Sequence, residues 1–198
     1  NQFTSQNVYN AIRQFKEDRN PKESLFGFNQ RVLVYFAVDT DEVYMTTELK
    51  GNKTFFLPFN KGNNRGKGNP VVEGKEKTSY LWEEILSKDS LLDIVKRFYF
   101  IQEDDKGNKR AIFPRFHQLD AVRKIVEDLK INKAGKNYLI QHSAGSGKTN
   151  TIAWTSHRLS SLHDEDNNAI FDSVIVVTDR KVLDKQLQNA IYQLEHKN

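Results

Sequence analysis

The sequence predicts an α/β protein, on three observations. An apolar stretch runs into a Gly/Ser loop and then a helix at 138–154. A second continuous apolar run and a second helical pattern follow from 173. The N-terminal part carries short β-branched and aromatic runs separated by turn residues. Strand, loop, helix, strand, helix in that order builds a right-handed parallel unit, the start of a RecA-like domain.

Residues 7–19, "NVYNAIRQFKEDR", place Val8, Ala11, Ile12 and Phe15 at helical spacing, and Pro21 stands just beyond. "RVLVYFAV" (31–38) and "VYMTTELK" (43–50) read as strands joined by the turn "DTDE", with "NKTFFLPF" (52–59) as a third strand. The glycine-rich stretch "NKGNNRGKGNP" (60–70) carries Lys61, Arg65 and Lys67. It fits a loop that touches phosphate, and equally a solvated flexible loop.

Helical patterning returns with "SYLWEEILSK" and "DSLLDIVKRFYF". Asp89 or Ser90 is the expected N-cap, and Leu91, Ile94, Val95 and Phe98 form one face. "EDDKGNKR" (103–110) is a polar turn and the expected domain boundary. "RFHQLDAVRKIVEDL" (115–129) is amphipathic, with Leu119, Val122, Ile125, Val126 and Leu129 on one side.

Length allows one or two domains, and a formal net charge of +4 leans weakly towards an anionic partner. With no cysteine, disulfides and thiolate metal sites are excluded. No apolar run approaches the roughly 18 residues of a membrane span, and no secretory pattern opens the chain. A cytoplasmic protein without membrane contact is expected. The abrupt start "NQFTSQ" is expected to lie inside a longer protein.

Glu48-x-Lys50, with Asp39, Asp41 and Glu42 upstream, spells half of a metal-dependent nuclease site. Geometry opposes that reading. If 39–42 is a turn, Asp41 and Glu48 lie roughly 23 Å apart along an extended strand. Carboxylates sharing Mg²⁺ must each come within about 2.1 Å of it. Leu33 is expected across the hairpin from Glu48. Glu48 then belongs to the wetter strand face, where Arg31 is its expected partner.

"YLIQHSAGSGKTNTIAW" (138–154) is the most informative stretch. A loop that wraps phosphate oxygens with backbone N–H groups needs small residues, here Ser143, Ala144, Gly145, Ser146 and Gly147. Lys148 then reaches the β- and γ-phosphates, the Thr149 hydroxyl ligates Mg²⁺ through the nucleotide, and these two are the expected catalytic residues, with Asn150 expected to join the nucleotide-binding set. His142 stands where the consensus begins with Gly, with four residues between it and Gly147. ATP with Mg²⁺ is the expected ligand. Ile152, Ser156, Leu159 and Leu162 form the expected face of the following helix, and Val182, Leu183, Gln186, Leu187, Ala190, Ile191 and Leu194 that of the last.

At "HSAGSGKTN", "FDSVIVVTDR" and "LDKQLQ" the chain closely resembles the motor and endonuclease (R) subunit of type I restriction enzymes. The stretches "VYFAVDTDEVYMTT", "FLPFNKGN", "YLWEE" and "KDSLLDI" extend the resemblance over nearly all of it. The resemblance implies a superfamily 2 translocase behind a nuclease domain of PD-(D/E)xK type. It assigns 1–75 to the C-terminal part of the nuclease-like domain, 76–107 to a helical connector, and 108–198 to an incomplete motor domain. It nominates Gln118 in "FHQLDAV" to read adenine, with Arg115, Phe116 and His117 near base or phosphates. A helix-terminal Gln facing solvent is the alternative.

Thr178, Asp179 and Arg180 are nominated to grip DNA backbone, Asp179 being alternatively a helix N-cap. The nuclease carboxylates are expected before Asn1. Ala11 and Phe15 stand where the family has a Gln and an aromatic, with Gln14 displaced. Double-stranded DNA and the methyltransferase and specificity subunits are the implied partners. A second acidic motif and an activating Arg are not found before Asn198, so weak or no activity is expected of these residues alone. An unrelated superfamily 2 helicase and a non-catalytic docking module are the rival readings.

Overall fold

The computed structural model describes residues 6–64, 66–104, 106–179 and 181–195, without the side chains of 181–183 and 195. The chain divides into two units, Asn1–His117 and Gln118–Asn198.

In the first unit, helix α1 (Val8–Glu17) is started by Asn7, whose side-chain oxygen accepts the N–H groups of Tyr9 and Asn10. Asn10 returns a bond to the Asn7 N–H, closing a capping box. The helix buries Val8 against Ala37 and Phe56, and Ala11, Ile12 and Phe15 cover that cluster as their spacing predicted. Strands β1 (Tyr35–Val38) and β2 (Val43–Thr46) pair antiparallel with Tyr35 opposite Thr46, and β2 pairs in turn with β3 (Leu57–Pro58). The third strand is shorter than expected, because Lys53 and Thr54 close turns on Lys50 and Gly51. Pro58 is tolerated because it lies on an edge strand.

Asp39 holds this corner together. One carboxylate oxygen accepts the N–H groups of Asp41 (2.8 Å) and Glu42 (2.7 Å), which fixes the "DTDE" turn. The other accepts the Val8 N–H at 2.7 Å, satisfying a free donor of the first turn of α1. Its backbone carbonyl accepts the Thr78 hydroxyl at 2.7 Å.

A π-helical turn (Leu81–Ile85) precedes α2 (Lys88–Arg97). The residue at the N-cap of α2 is Ser87, not Asp89 or Ser90. Of the expected face, Ile94 and Phe98 are fully buried, whereas Val95 is exposed. The helix stops at Arg97, and the "FYF" run that resembled its tail instead leads into a hairpin. Strands β4 (Phe100–Glu103) and β5 (Lys109–Ile112) pair antiparallel around "DDKGN". Asp104 accepts the N–H groups of Lys106 and Asn108, and Gly107 takes the positive φ of +79° that the turn needs. Thr47 donates its hydroxyl to the Ala111 carbonyl at 2.9 Å and so ties this hairpin to the first sheet. Rings of Phe36, Phe59, Phe113, Phe116 and Tyr80 follow one another at centroid separations of 5.4–6.3 Å.

The glycine-rich stretch is built, not merely solvated. Gly62 donates to the Gly68 carbonyl at 2.8 Å, and Asn63 and Gly66 exchange backbone bonds. The Asn69 side chain accepts the Lys61 N–H and donates to the Asp41 carbonyl and to Asn60. Arg65 lies outside the described residues.

Helix α3 (Phe116–Asn132) carries the chain into the second unit, burying Leu119, Val122, Ile125, Val126 and Leu129 as the periodicity predicted. Helices α4 (Lys148–Ser160) and α5 (Lys181–Glu195) pack on each other. The buried residues of α4 are Thr151, Ala153 and Trp154 rather than the face through Ile152, Ser156 and Leu159, while Leu162 beyond its end is buried as expected. On α5, Leu187, Ala190 and Leu194 are buried and Gln186 is exposed, and the side chains of Val182 and Leu183 lie outside the described set.

The two expected parallel strands of this unit are not formed. Among the described residues, 137–143 and 173–178 have no ladder partner, and Leu139 (91%), Ile175 (85%) and Val177 (88%) face solvent. Val174, Val176 and Thr178 alternate with them as half-buried positions. The strand-like alternation is therefore present in side-chain direction. A strand is completed only by neighbours that take up its N–H and C=O groups, and α4 and α5 cannot supply those.

Asp39→Ala is expected to lower the unfolding free energy by about 2–4 kcal/mol, since it leaves three backbone donors without their acceptor. Asp41→Ala, which removes an exposed ion pair with Lys77 and an exposed bond from the Thr40 hydroxyl, is expected to leave the denaturation midpoint nearly unchanged. Urea titration of the two variants checks the contrast.

Candidate nucleotide-binding loop

Residues 143–147 turn tightly between the extended segment and α4. Gly145 (φ +71°) and Gly147 (φ +82°) sit in the left-handed region, which an L side chain enters only at a cost. The Ser146 N–H reaches the Ser143 carbonyl at 3.4 Å, and the Gly147 carbonyl accepts the N–H groups of Asn150 (3.1 Å) and Thr151 (3.3 Å), which starts the helix. Among the described residues no backbone carbonyl sits on the N–H groups of Gly147, Lys148 or Thr149. These are the donors that a helix N-terminus offers to an anion.

Lys148 turns its ammonium back onto the loop, donating to the Ser143 carbonyl at 2.8 Å and the His142 carbonyl at 3.3 Å. Gln118, first residue of this unit and only 3% exposed, donates its side-chain amide to the carbonyls of Gly147 (2.9 Å) and Ser146 (3.3 Å). Of the residues expected to bind ATP, Gln118 and 143–150 thus converge on one loop. The arrangement fits the expected ligand. Donors and a cation line the turn, and Thr149, half-buried, stands one residue beyond the lysine.

His142 stands where the consensus begins with Gly, just ahead of the small residues. Burial, and then the neighbouring Lys148 charge, pull its pKa below the usual value, so the imidazole is held neutral.

Thr178 is half-buried and Asp179 exposed just ahead of α5, and Arg180 lies outside the described residues. Gln118 does not face solvent. In the first unit, Phe116 packs its ring against Phe59 (5.9 Å) and Tyr80 (5.4 Å) instead of presenting it to a ligand, and burial lowers the pKa of Arg115.

Glu48 pairs with Lys50 at 2.7 Å rather than with Arg31, and Asp41 pairs with Lys77. Two carboxylates of the would-be nuclease motif, Glu48 and Asp41, thus have their own cations, and Asp39 is taken up by backbone N–H groups. Among the described residues no group of three or more His, Cys, Asp or Glu side chains could hold a metal ion. Lys61, expected in a phosphate-touching or solvated loop, grips both carboxylate oxygens of Glu84 (2.8 and 3.0 Å) and lies over the Tyr80 ring. The sequence carried no local signal for that pairing, which joins residues 23 apart.

Two expectations follow. Gly147→Ala places a Cβ 2.5 Å from the Gln118 amide nitrogen at a positive φ, and is expected to weaken nucleotide binding about tenfold or more and lower the thermal midpoint. His142→Gln is expected to flatten the acid limb of stability. The unfolded chain takes up a proton below about pH 6.5 that folded His142 resists, so wild-type stability falls as pH drops through that window. Denaturant midpoints at pH 7.5 and 5.5 for both chains measure the difference.

Residues 117–198 match the SWI2/SNF2 ATPase family. Over 202 aligned residues the chain is 26% identical to a Methanocaldococcus jannaschii protein named, by inference, type I restriction enzyme MjaVIIIP endonuclease subunit. The alignment covers all of this chain and 18% of that protein. No solved structure matches the chain. No helix among the described residues is long and apolar enough to cross a membrane. The chain is thus a relative, along its whole length, of a type I restriction enzyme endonuclease subunit, and its second unit matches a SWI2/SNF2 ATPase.

Proposed function

We propose that the chain forms part of the subunit that translocates and cleaves DNA in a type I restriction-modification complex, and that residues 143–150 with Gln118 bind ATP with Mg²⁺. One observation carries this reading. The Lys148 ammonium, the Gln118 amide and the open N–H groups at the head of α4 meet on a single loop, in a chain similar end to end to a restriction endonuclease subunit.

On this reading Lys148 exchanges the carbonyls of His142 and Ser143 for β- and γ-phosphate oxygens, which are stronger, charged acceptors. Thr149 offers its hydroxyl as one ligand of Mg²⁺, and Lys148 and Thr149 are the catalytic pair. The metal, when bound, supplies a Lewis acid that spreads the charge developing on the transferred phosphoryl. Main-chain N–H groups of 145–149 orient the triphosphate. Thr178, Asp179 and Arg180 contact DNA backbone. Residues 1–75 are the C-terminal part of a nuclease-like domain, 76–107 a connector, and 108–198 the beginning of the motor. Double-stranded DNA and the methyltransferase and specificity subunits are the partners, in the cytoplasm.

Titration of the chain with a fluorescent ATP analogue in Mg²⁺ tests the site. Lys148→Ala is expected to weaken binding by about tenfold or more, the loss of a charge-assisted bond of roughly 1.5–3 kcal/mol. Equal affinity of variant and wild type would remove the basis of the proposal.

A further inference from the structure

Beside the π-helical turn of the first unit lies an open cleft of about 520 Å³, lined by Gly74, Lys75, Glu76, Ser79, Trp82 and Glu83. One wall is set by the Ser79 carbonyl, which accepts the N–H groups of Trp82 (3.2 Å) and Glu83 (3.0 Å). That spacing of three and four residues puts Ser79, Trp82 and Glu83 on one side of the helical turn. The other wall is the turn at 72–75, closed by the Lys75 N–H on the Val72 carbonyl at 3.3 Å. The Ser79 N–H on the Glu76 carbonyl, at 3.0 Å, joins the two.

Three features of this cleft point to a cation. The Trp82 indole is 51% exposed, whereas the other tryptophan, Trp154, is fully buried. Lys75 holds both carboxylate oxygens of Glu83 at 2.9 Å, whereas Glu76 makes no ion pair among the described residues. Ser79 is only 5% exposed, yet its hydroxyl has no hydrogen-bond partner among the described residues. An aromatic face, a spare carboxylate and a buried hydroxyl together complement a guanidinium, which stacks on indole while its planar fork donates to oxygens at its edge. A compact ammonium makes the charge contact without the stack. The side chains lining the cleft carry one more negative than positive charge, in a chain of net charge +4, which disfavours a phosphate backbone here. Val71 and Val72, exposed just before the turn, offer apolar ground to residues that flank an arginine in a polypeptide.

We propose that this cleft docks an arginine side chain of a partner polypeptide, its guanidinium stacked on Trp82 and bonded to Glu76 and Ser79. The inference is independent of the nucleotide site.

The test titrates the isotope-labelled full chain with the end-capped tripeptides Val-Arg-Val, Val-Lys-Val and Val-citrulline-Val, with arginine amide, and with hexathymidylate, reading the two indole N–H signals by NMR. The Trp82 signal is expected to shift saturably with Val-Arg-Val, with a Kd on the order of millimolar. Val-Lys-Val and arginine amide should bind more weakly, the uncharged citrulline peptide should not saturate, and the Trp154 signal should stay in place. Glu76→Gln is expected to weaken Val-Arg-Val binding about two- to fivefold, and Ser79→Ala about threefold. Glu84→Gln, which removes a partner of Lys61 outside the cleft, should leave it unchanged.

A citrulline peptide that binds as tightly as the arginine peptide, or hexathymidylate that binds more tightly, would overturn the cation reading. A lysine peptide of equal affinity would overturn the guanidinium, and arginine amide of equal affinity the polypeptide partner. Absence of a saturable shift, or unchanged affinity in Glu76→Gln, would overturn the site itself.

Discussion

Carbonyl groups of a tight turn need donors, and around the loop at 143–147 two side chains supply them. Lys148 serves the carbonyls of His142 and Ser143, and Gln118 serves those of Ser146 and Gly147. The N–H groups on the other side of the same turn stay open at the head of α4. That asymmetry gives the loop its chemistry. Satisfied acceptors and open donors make a turn that favours anions, and the macrodipole of α4 adds to it within the first turn. The glycines follow from the same constraint, since Gly147 can accept the approach of Gln118 only by having no side chain.

Asp39 solves the related problem in the first unit with its carboxylate and its backbone carbonyl. A two-residue turn, a helix N-terminus and the Thr78 hydroxyl all need an acceptor at one corner, and Asp39 meets each. It stands among acidic neighbours that spell a nuclease half-site, yet its oxygens are committed to backbone N–H groups. Lys77 and Lys50 similarly commit Asp41 and Glu48. Motif letters alone do not distinguish a carboxylate with free lone pairs from one already bonded; hydrogen-bond partners do.

Legibility in the sequence tracked how local the deciding interaction is. The five apolar residues of α3, the α1 face and the hairpin turn at 39–42 depend on spacing within a few residues, and all are as expected. The strands at 100–103 and 109–112 were hidden because "FYF" continues the apolar face of α2. The "DDKGN" turn, with a glycine at positive φ, was the overlooked cue. On α4 the buried face is set by where Trp154 finds room against its surroundings, which spacing does not encode. Phe116 reads as a ligand-site aromatic beside Gln118, but its ring joins the aromatic chain through Phe59.

The extended runs 137–143 and 173–178 are the sharpest case of the same rule. In 173–178 the β-branched composition and the alternation of half-buried and exposed side chains are those of a strand, whereas residues 137–141 are exposed throughout. Composition sets which way the side chains point; the ladder is set by a neighbouring chain segment. Val174, Val176 and Thr178 are already half-covered, so it is the Ile175 and Val177 face and the backbone edge that remain open. The loop between these runs and α4 nevertheless has its turn and its internal bonds, because Gln118 and Lys148 fix it from within the unit. Phosphate-loop geometry therefore depends less on a completed sheet than on one amide and one ammonium.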